Sequence, residues 1–218
     1  VYYSPYNGKI QDGYMYTDNG FWDTFRAVHP LFTLLYPEVS ERVTQSILNA
    51  YDESGFMPEW ASPGHRECMI GNNSISLLTD AWMKGIRTIC PEKALEAMIH
   101  QTEARHPGIS SVGRDGFGYY DRLGYVPYPE VHEATAKTLE YAYADWCVAR
   151  FADSIGRKEI ADTYYRKALN YRNLYYPDYG FMWAKDANGK WRDAFDATEW
   201  GGPFTEGSSW HWTWSVLH

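Results

Sequence analysis

The sequence predicts an all-α fold of helical hairpins in which helices buried on two sides alternate with helices buried on one. Two observations carry this expectation. Segments 75–89 and 131–155 are apolar around much of the helical circumference, with Ile75, Leu77, Leu78, Ala81 and Trp82 in the first and Leu139, Tyr141, Ala142, Trp146 and Val148 in the second. By contrast, Val39, Val43, Ile47 and Ala50 form a single stripe, as do Ile160, Tyr164, Ala168 and Tyr171, with charges filling the other positions. A wide apolar face needs neighbours on both sides and a narrow one needs a single neighbour, which is the requirement of an inner and an outer ring. The expected architecture is therefore a partial (α/α)6 toroid of about three and a half hairpins with a small β-hairpin insertion.

The elements follow in order. Residues 1–20 read as a lead-in segment, and a wide helix is expected over 22–36. A narrow helix over 38–54 opens with Pro37 and Glu38 at its first turn and stops at Gly55. The wide helix 75–89 is followed by a narrow one over 91–104, again started by a proline and a glutamate, Pro91 and Glu92. Wide helix 131–155 stops at Gly156 and is followed by a narrow one over 158–174. Residues 177–205 read as an insertion, with a hairpin over 181–191 turning at Asn188-Gly189. A fourth wide helix is expected from Ser208, and Trp214 to His218 fall inside it with no capping signal. The 218 residues are thus read as one incomplete catalytic-domain fragment, whose open inner faces imply dimerisation, distortion or marginal stability.

Composition narrows the function. The chain carries 20 Lys and Arg against 28 Asp and Glu, a net charge of −8, so a phosphate backbone or anionic membrane surface is excluded as the main partner. No run approaches the roughly 20 apolar residues of a membrane span. Cys68, Cys90 and Cys147 lack zinc or disulfide spacing and read as small hydrophobes, and the seven histidines lack HExxH company. Gly113-Arg114-Asp115-Gly116 does not lead into Gly-Lys-Ser/Thr, so it is no phosphate loop.

Chemistry-bearing residues collect in segments 16–23, 55–73, 113–133 and 201–209, each leading into a wide helix and hence placed at one rim. Glu206, between Phe204 and Trp210 with no adjacent Lys or Arg, is the candidate acid, its carboxyl held protonated by desolvation. The alternative is a Glu that serves a helix N-terminus. Trp22-Asp23 reads as a sugar clamp of ring and carboxylate, or as a local Asp23–Arg26 ion pair. Trp60 is either a stacking platform or a core residue. Glu67, Asn72 and Asn73 offer oxygen to hydroxyls or a hard cation but also suit turns, while Asp80 and Glu140 inside wide helices must be paired, each being either a pore-lining functional group or half of a buried hydrogen-bond network, the latter favoured for Asp80.

In collinear order, Tyr16-Thr17-Asp18, Trp22-Asp23-Thr24-Phe25-Arg26, Gly55-Phe56-Met57-Pro58-Glu59-Trp60, Met69-Ile70-Gly71, Asp80-Ala81-Trp82-Met83-Lys84-Gly85-Ile86, Thr138-Leu139-Glu140-Tyr141-Ala142-Tyr143 and Thr205-Glu206-Gly207 resemble the catalytic domain of the calcium-dependent α-mannosidases of glycoside hydrolase family 92. The resemblance implies an (α/α)6 toroid paired with a β-sandwich, and an exo-acting, inverting enzyme that removes terminal mannose from α-mannosides such as N-glycans or mannans. It implies Glu206 as general acid and Trp22 with Asp23 as mannose contacts. Ser208-Ser209-Trp210-His211 stand where the family has Asn-Ala-Trp-Gln. The family's downstream motifs for Ca2+ and for the carboxylate base are not among these residues, so the metal ligands are unassigned and the fragment alone is expected to be inactive. A periplasmic or extracellular location follows from the resemblance only. The alternatives are another (α/α)-toroid carbohydrate-active enzyme and a non-catalytic carbohydrate-binding module.

Overall fold

The computed structural model describes residues 1–218 and is helix-rich with small β hairpins. Its centre is α7 (Ala134–Ser154), which buries fifteen residues around nearly its whole circumference, as the wide apolar face requires. Helix α4 (Asn73–Met83) buries nine of its residues and packs along α7. Around this pair lie three helices with one buried stripe each. Helix α3 (Pro37–Ser54) is started by its proline and closed by Gly55 at φ +82, and buries Val43, Ile47 and Ala50. Helix α5 (Pro91–Glu103) buries Ala94, Leu95 and Met98, and α8 (Lys158–Lys167) buries Ala161 and Tyr164. The shared core joins Ile47, Leu78, Met98, Val148 and Phe151.

Several expectations need correction. The wide helix over 22–36 is two pieces, α1 (Phe21–Thr24) and α2 (Val28–Leu35), parted where Ala27 leaves the helical backbone region at φ −143. Helix α2 buries His29 alone and exposes Val28, Leu31, Leu34 and Leu35, so it is not doubly buried. Helix α4 stops at Met83, with Gly85 at φ +98 after it. The expected α4–α5 hairpin is loose, since α5 packs on α7 and α3 more than on α4. The segment 113–133 holds an unforeseen helix, α6 (Phe117–Leu123), bracketed by left-handed Gly116 and Gly124. At the end of the chain the helix is α9 (Ser209–Trp212), a single turn rather than a long inner helix.

Short strands tie the loops down. Strands β1 (Tyr2–Tyr3) and β2 (Ile10–Gln11) pair with each other, and β3 (Asn19–Gly20) pairs with β4 (Trp60–Ala61). The hairpin expected over 181–191 is instead formed by β5 (Tyr175–Tyr176), which lies before the insertion, and β6 (Phe181–Met182), and the turn at Asn188-Gly189 is closed by only a Lys185–Trp191 bridge. Residues 168–174, read as the end of a narrow α-helix, tighten into a 3-10 helix. No helix is long and apolar enough to cross a membrane.

Candidate active site

One cavity of about 660 Å³ opens beside the N-terminal ends of α1, α7 and α9. The β3–β4 pairing sets its first wall: Phe21 N–H donates to Glu59 O at 3.0 Å, starting α1 so that Trp22, Asp23 and Arg26 line the space. Residues Glu67 to Ile70 with Ser110 and Ser111 form a second side, and Trp200, Thr205, Glu206, His211 and Trp212 form the third. Trp22, Asp23 and Glu206, far apart in sequence, therefore share one hollow.

Trp22 is a fixed wall. Its indole N–H donates to Glu140 Oε1 at 3.0 Å, its ring packs toward the cluster of Ile70, Leu139, Phe204 and Trp212, and the Arg26 guanidinium lies over it at 4.4 Å. Glu140 is thereby explained as a buried partner of Trp22. Burial pushes its carboxyl up to about 7 against the opposing pull of the Trp22 hydrogen bond and of Arg26. Gly71 makes room for it: at φ +80, a Cβ there would lie 2.8 Å from Glu140 Oε2. Asp23 is exposed and forms neither the i,i+3 pair with Arg26 nor a hydrogen bond to any protein donor, because Arg26 turns over the rings of Trp22 and Phe25 instead.

Glu206 faces the same cavity but is exposed, which corrects the expectation of a carboxyl enclosed by its neighbours. Phe204 points into the core, while Trp210 lies against Phe181 at a ring separation of 5.7 Å, so neither aromatic covers position 206. The loop that carries Glu206 is rigid nevertheless. Gly201 N–H donates to Gly207 O at 2.7 Å, and Trp212 Nε1 donates to Thr205 O at 2.8 Å. The backbone at Glu206 is left-handed, φ +44. Met69 (φ +71) and Glu133 (φ +55) share that strained region and also line the cavity, whereas Asp18 and Ala194, at φ +56 and +55, lie outside it. Each such residue costs on the order of 1–3 kcal/mol, and strain of this kind collects where a side chain must be aimed at a ligand.

Glu133 is a cavity carboxylate that no local pattern identified; it precedes α7 and its amide donates to Gly202 O at 3.3 Å. His211 is another. Its Nδ1 accepts from Ser208 N–H at 3.2 Å, closing a capping box on α9, so in the neutral ring Nε2 carries the hydrogen and is a donor. Glu67 lines the cavity while accepting from Ser110 Oγ at 2.6 Å, which holds its carboxyl below the usual range. Asp23, Glu67, Glu133 and Glu206 outnumber the cationic Arg26, so the cavity suits a neutral ligand rich in hydroxyl donors rather than an anion.

Other candidates fall elsewhere. Trp60 does not line the cavity; it sits in β4 with Arg66 over its ring at 5.2 Å. Asn72 accepts from Arg114 Nε at 2.7 Å and donates to Gly113 O, and Asn73 donates to Ile70 O at 3.2 Å, so both brace loops. Asp80 is no buried group but half of an exposed pair with Lys84 at 2.7 Å. No three His, Cys, Asp or Glu side chains converge closely enough to hold a metal ion, so these residues alone do not fit a calcium centre.

Residues 1–218 match the model of the glycosyl hydrolase family 92 catalytic domain. The chain belongs to glycosyl hydrolase family 92. The family 92 chain is 83% identical to an inverting mannosidase of this family from Bacteroides thetaiotaomicron, with a TM-score of 0.99, and covers all of itself but 30% of that protein. A second family 92 α-mannosidase of that organism, solved with mannoimidazole, is 33% identical with a TM-score of 0.87, and the match covers 95% of this chain and 28% of the other. A curated relative from Arthroderma benhamiae, described as an uncharacterized secreted glycosidase, is 25% identical over 167 residues, 66% of this chain and 21% of that protein.

Proposed function

We propose that this chain builds part of the active site of an exo-acting, inverting α-mannosidase. The observation that carries the reading is the convergence of Trp22, Asp23 and Glu206 on one acidic cavity, in a chain 83% identical to an inverting mannosidase. Asp23, with no protein donor of its own, accepts from hydroxyls of the terminal mannose against the wall of Trp22. Glu206 protonates the departing glycosidic oxygen. Inversion then needs a carboxylate base roughly 6.5–9.5 Å from the acid, with a water between it and the anomeric carbon. That base, and the ligands of a calcium ion, come from parts of the enzyme outside these residues, consistent with the 30% coverage of the matched mannosidase. The hairpins around α4 and α7 are in this reading a segment of an (α/α)6 ring with the cavity at one rim. A site outside the cytoplasm, in the periplasm or beyond the cell, accords with the secreted relative.

The test uses the intact enzyme. Glu206→Gln should slow hydrolysis of an α-linked mannobiose by about 10²–10⁴-fold, the usual worth of a general acid. Hydrolysis of α-mannosyl fluoride, whose leaving group needs no proton, should be spared. Equal loss on both substrates removes Glu206 from the acid role, and a β-mannose product directly after turnover of an α-mannoside establishes inversion.

A further inference from the structure

We infer that Trp200 is the platform for the sugar on the leaving-group side of the scissile bond; this rests on the mannosidase reading and extends it to a residue that sets substrate preference. Three observations converge on it. Trp200 lines the same cavity as Glu206, yet it is 67% exposed, whereas Trp22 is half-buried and Trp212 buried. Trp22 cannot serve as an open platform, because Arg26 and the Ile70 cluster enclose its ring. Trp200 offers what Trp22 lacks, a broad apolar face standing free in water at the mouth of an acidic hollow.

The second observation is rigidity. An exposed Trp on a loose loop gives little, since ordering it on binding costs side-chain and backbone entropy. Here Glu199, just before it, is clamped by Arg192 through two hydrogen bonds of 2.7 and 2.8 Å, and Gly201, just after it, donates to Gly207 at 2.7 Å. The ring itself meets His211 edge to face at 5.7 Å. The platform is built before the sugar arrives.

The third observation is position relative to the chemistry. The bond from Gly201 to Gly207 lays residues 200 and 206 on facing limbs of one tight loop. If the terminal mannose occupies the Asp23 side, the oxygen that Glu206 protonates joins it to the next residue, and that residue leaves past the limb that carries Trp200. The flat, CH-rich face of a pyranose is the chemical complement of an exposed indole, and His211 Nε2 beside it supplies a donor for a hydroxyl.

Trp200→Ala, Trp200→Phe and the unaltered intact enzyme should be compared on an α-linked mannobiose and on α-mannosyl fluoride, which has no leaving-group sugar. Trp200→Ala should lower kcat/KM for mannobiose by about tenfold, mainly through KM, and leave the fluoride within about twofold, while Trp200→Phe keeps most of the activity. A similar loss on both substrates, or no loss on mannobiose, overturns the assignment. Failure of the unaltered enzyme to act on either substrate overturns the mannosidase reading itself, and the platform with it.

Discussion

The interior around α7 and the wall of the cavity both carry acidic side chains, and they treat them oppositely. Inside, each carboxyl is answered. Asp145 pairs with Arg114 at 2.8 Å and accepts from Tyr120 Oη at 2.8 Å, all of them buried. Glu59 accepts from Ser74 Oγ at 2.9 Å and Gln101 Nε2 at 3.0 Å, and Glu140 accepts from Trp22. On the cavity wall, Glu67 accepts from Ser110, but Asp23 and Glu206 have no protein donor. A buried carboxyl without partners would be too costly to keep, whereas an exposed one left free is available to a ligand. Partnering thus separates groups that hold the fold from groups poised to act, and substitutions at the two kinds of position should move different observables.

The largest effect on stability is expected at the interior pair. Arg114→Ala leaves Asp145 buried and uncompensated, and about 3–5 kcal/mol of unfolding free energy should be lost in the intact enzyme. Adding Asp145→Leu should return much of it. A loss below 1 kcal/mol from the single change would mean that water reaches the pair and that the interior is less closed than its geometry indicates.

Asp23→Asn probes the opposite case. Removing the charge while keeping the shape should cost on the order of 1.5–3 kcal/mol of transition-state binding, the worth of hydrogen bonds to a charged group. The melting temperature should not change, because the carboxylate supports nothing in the fold. A melting temperature that drops with activity would place Asp23 among the structural carboxyls.

Why the interior was legible and the wall only partly so follows from the same contrast. The circumference of α7 and α4 and the stripes of α3 and α5 repeat with helical period, so each residue confirms its neighbours. The position of Glu140 inside a wide helix demands a partner, but Trp22 as that partner is a long-range fact. The break between α1 and α2 lies in the backbone of Ala27, at φ −143, which periodicity cannot register. Glu133, Trp200 and His211 carry no local signal, since each is aimed at the cavity by loop geometry and by neighbours distant in sequence. Glu206 stands exposed because flanking aromatics fix nothing about a residue whose own backbone turns left-handed.

Between the two regions stands Glu140, buried like the interior set yet bonded to a wall residue. Burial raises its carboxyl from 4.5 to about 7. A folded-state value above the unfolded one means that the contribution is complete below about pH 4.5 and is lost as pH rises through about 7. Glu140→Gln keeps an oxygen for the Trp22 N–H but does not titrate. The unfolding free energy of the variant should therefore fall less steeply between these pH values, by at most about 1.4 kcal/mol per pH unit. Parallel profiles for the two proteins would show that Glu140 is charged throughout and that its environment is wetter than its burial implies.

The smallest effect is the sharpest discriminator. Glu133 holds φ +55 at the start of α7, a conformation that costs a residue with a Cβ roughly 1–2 kcal/mol and costs glycine little. Its one ion-pair partner, His132, lies 3.7 Å away with a side chain 77% exposed, so that contact is worth at most about 1 kcal/mol. Glycine adds unfolded-state entropy of roughly 0.5–1 kcal/mol, and the net change for Glu133→Gly should lie within about 1 kcal/mol of zero. If the strain serves to aim a carboxylate into the cavity, kcat/KM on mannobiose should fall while stability holds. Stability that falls with activity intact would assign Glu133 to the helix start, and left-handed backbone at the cavity would no longer distinguish the wall from the interior.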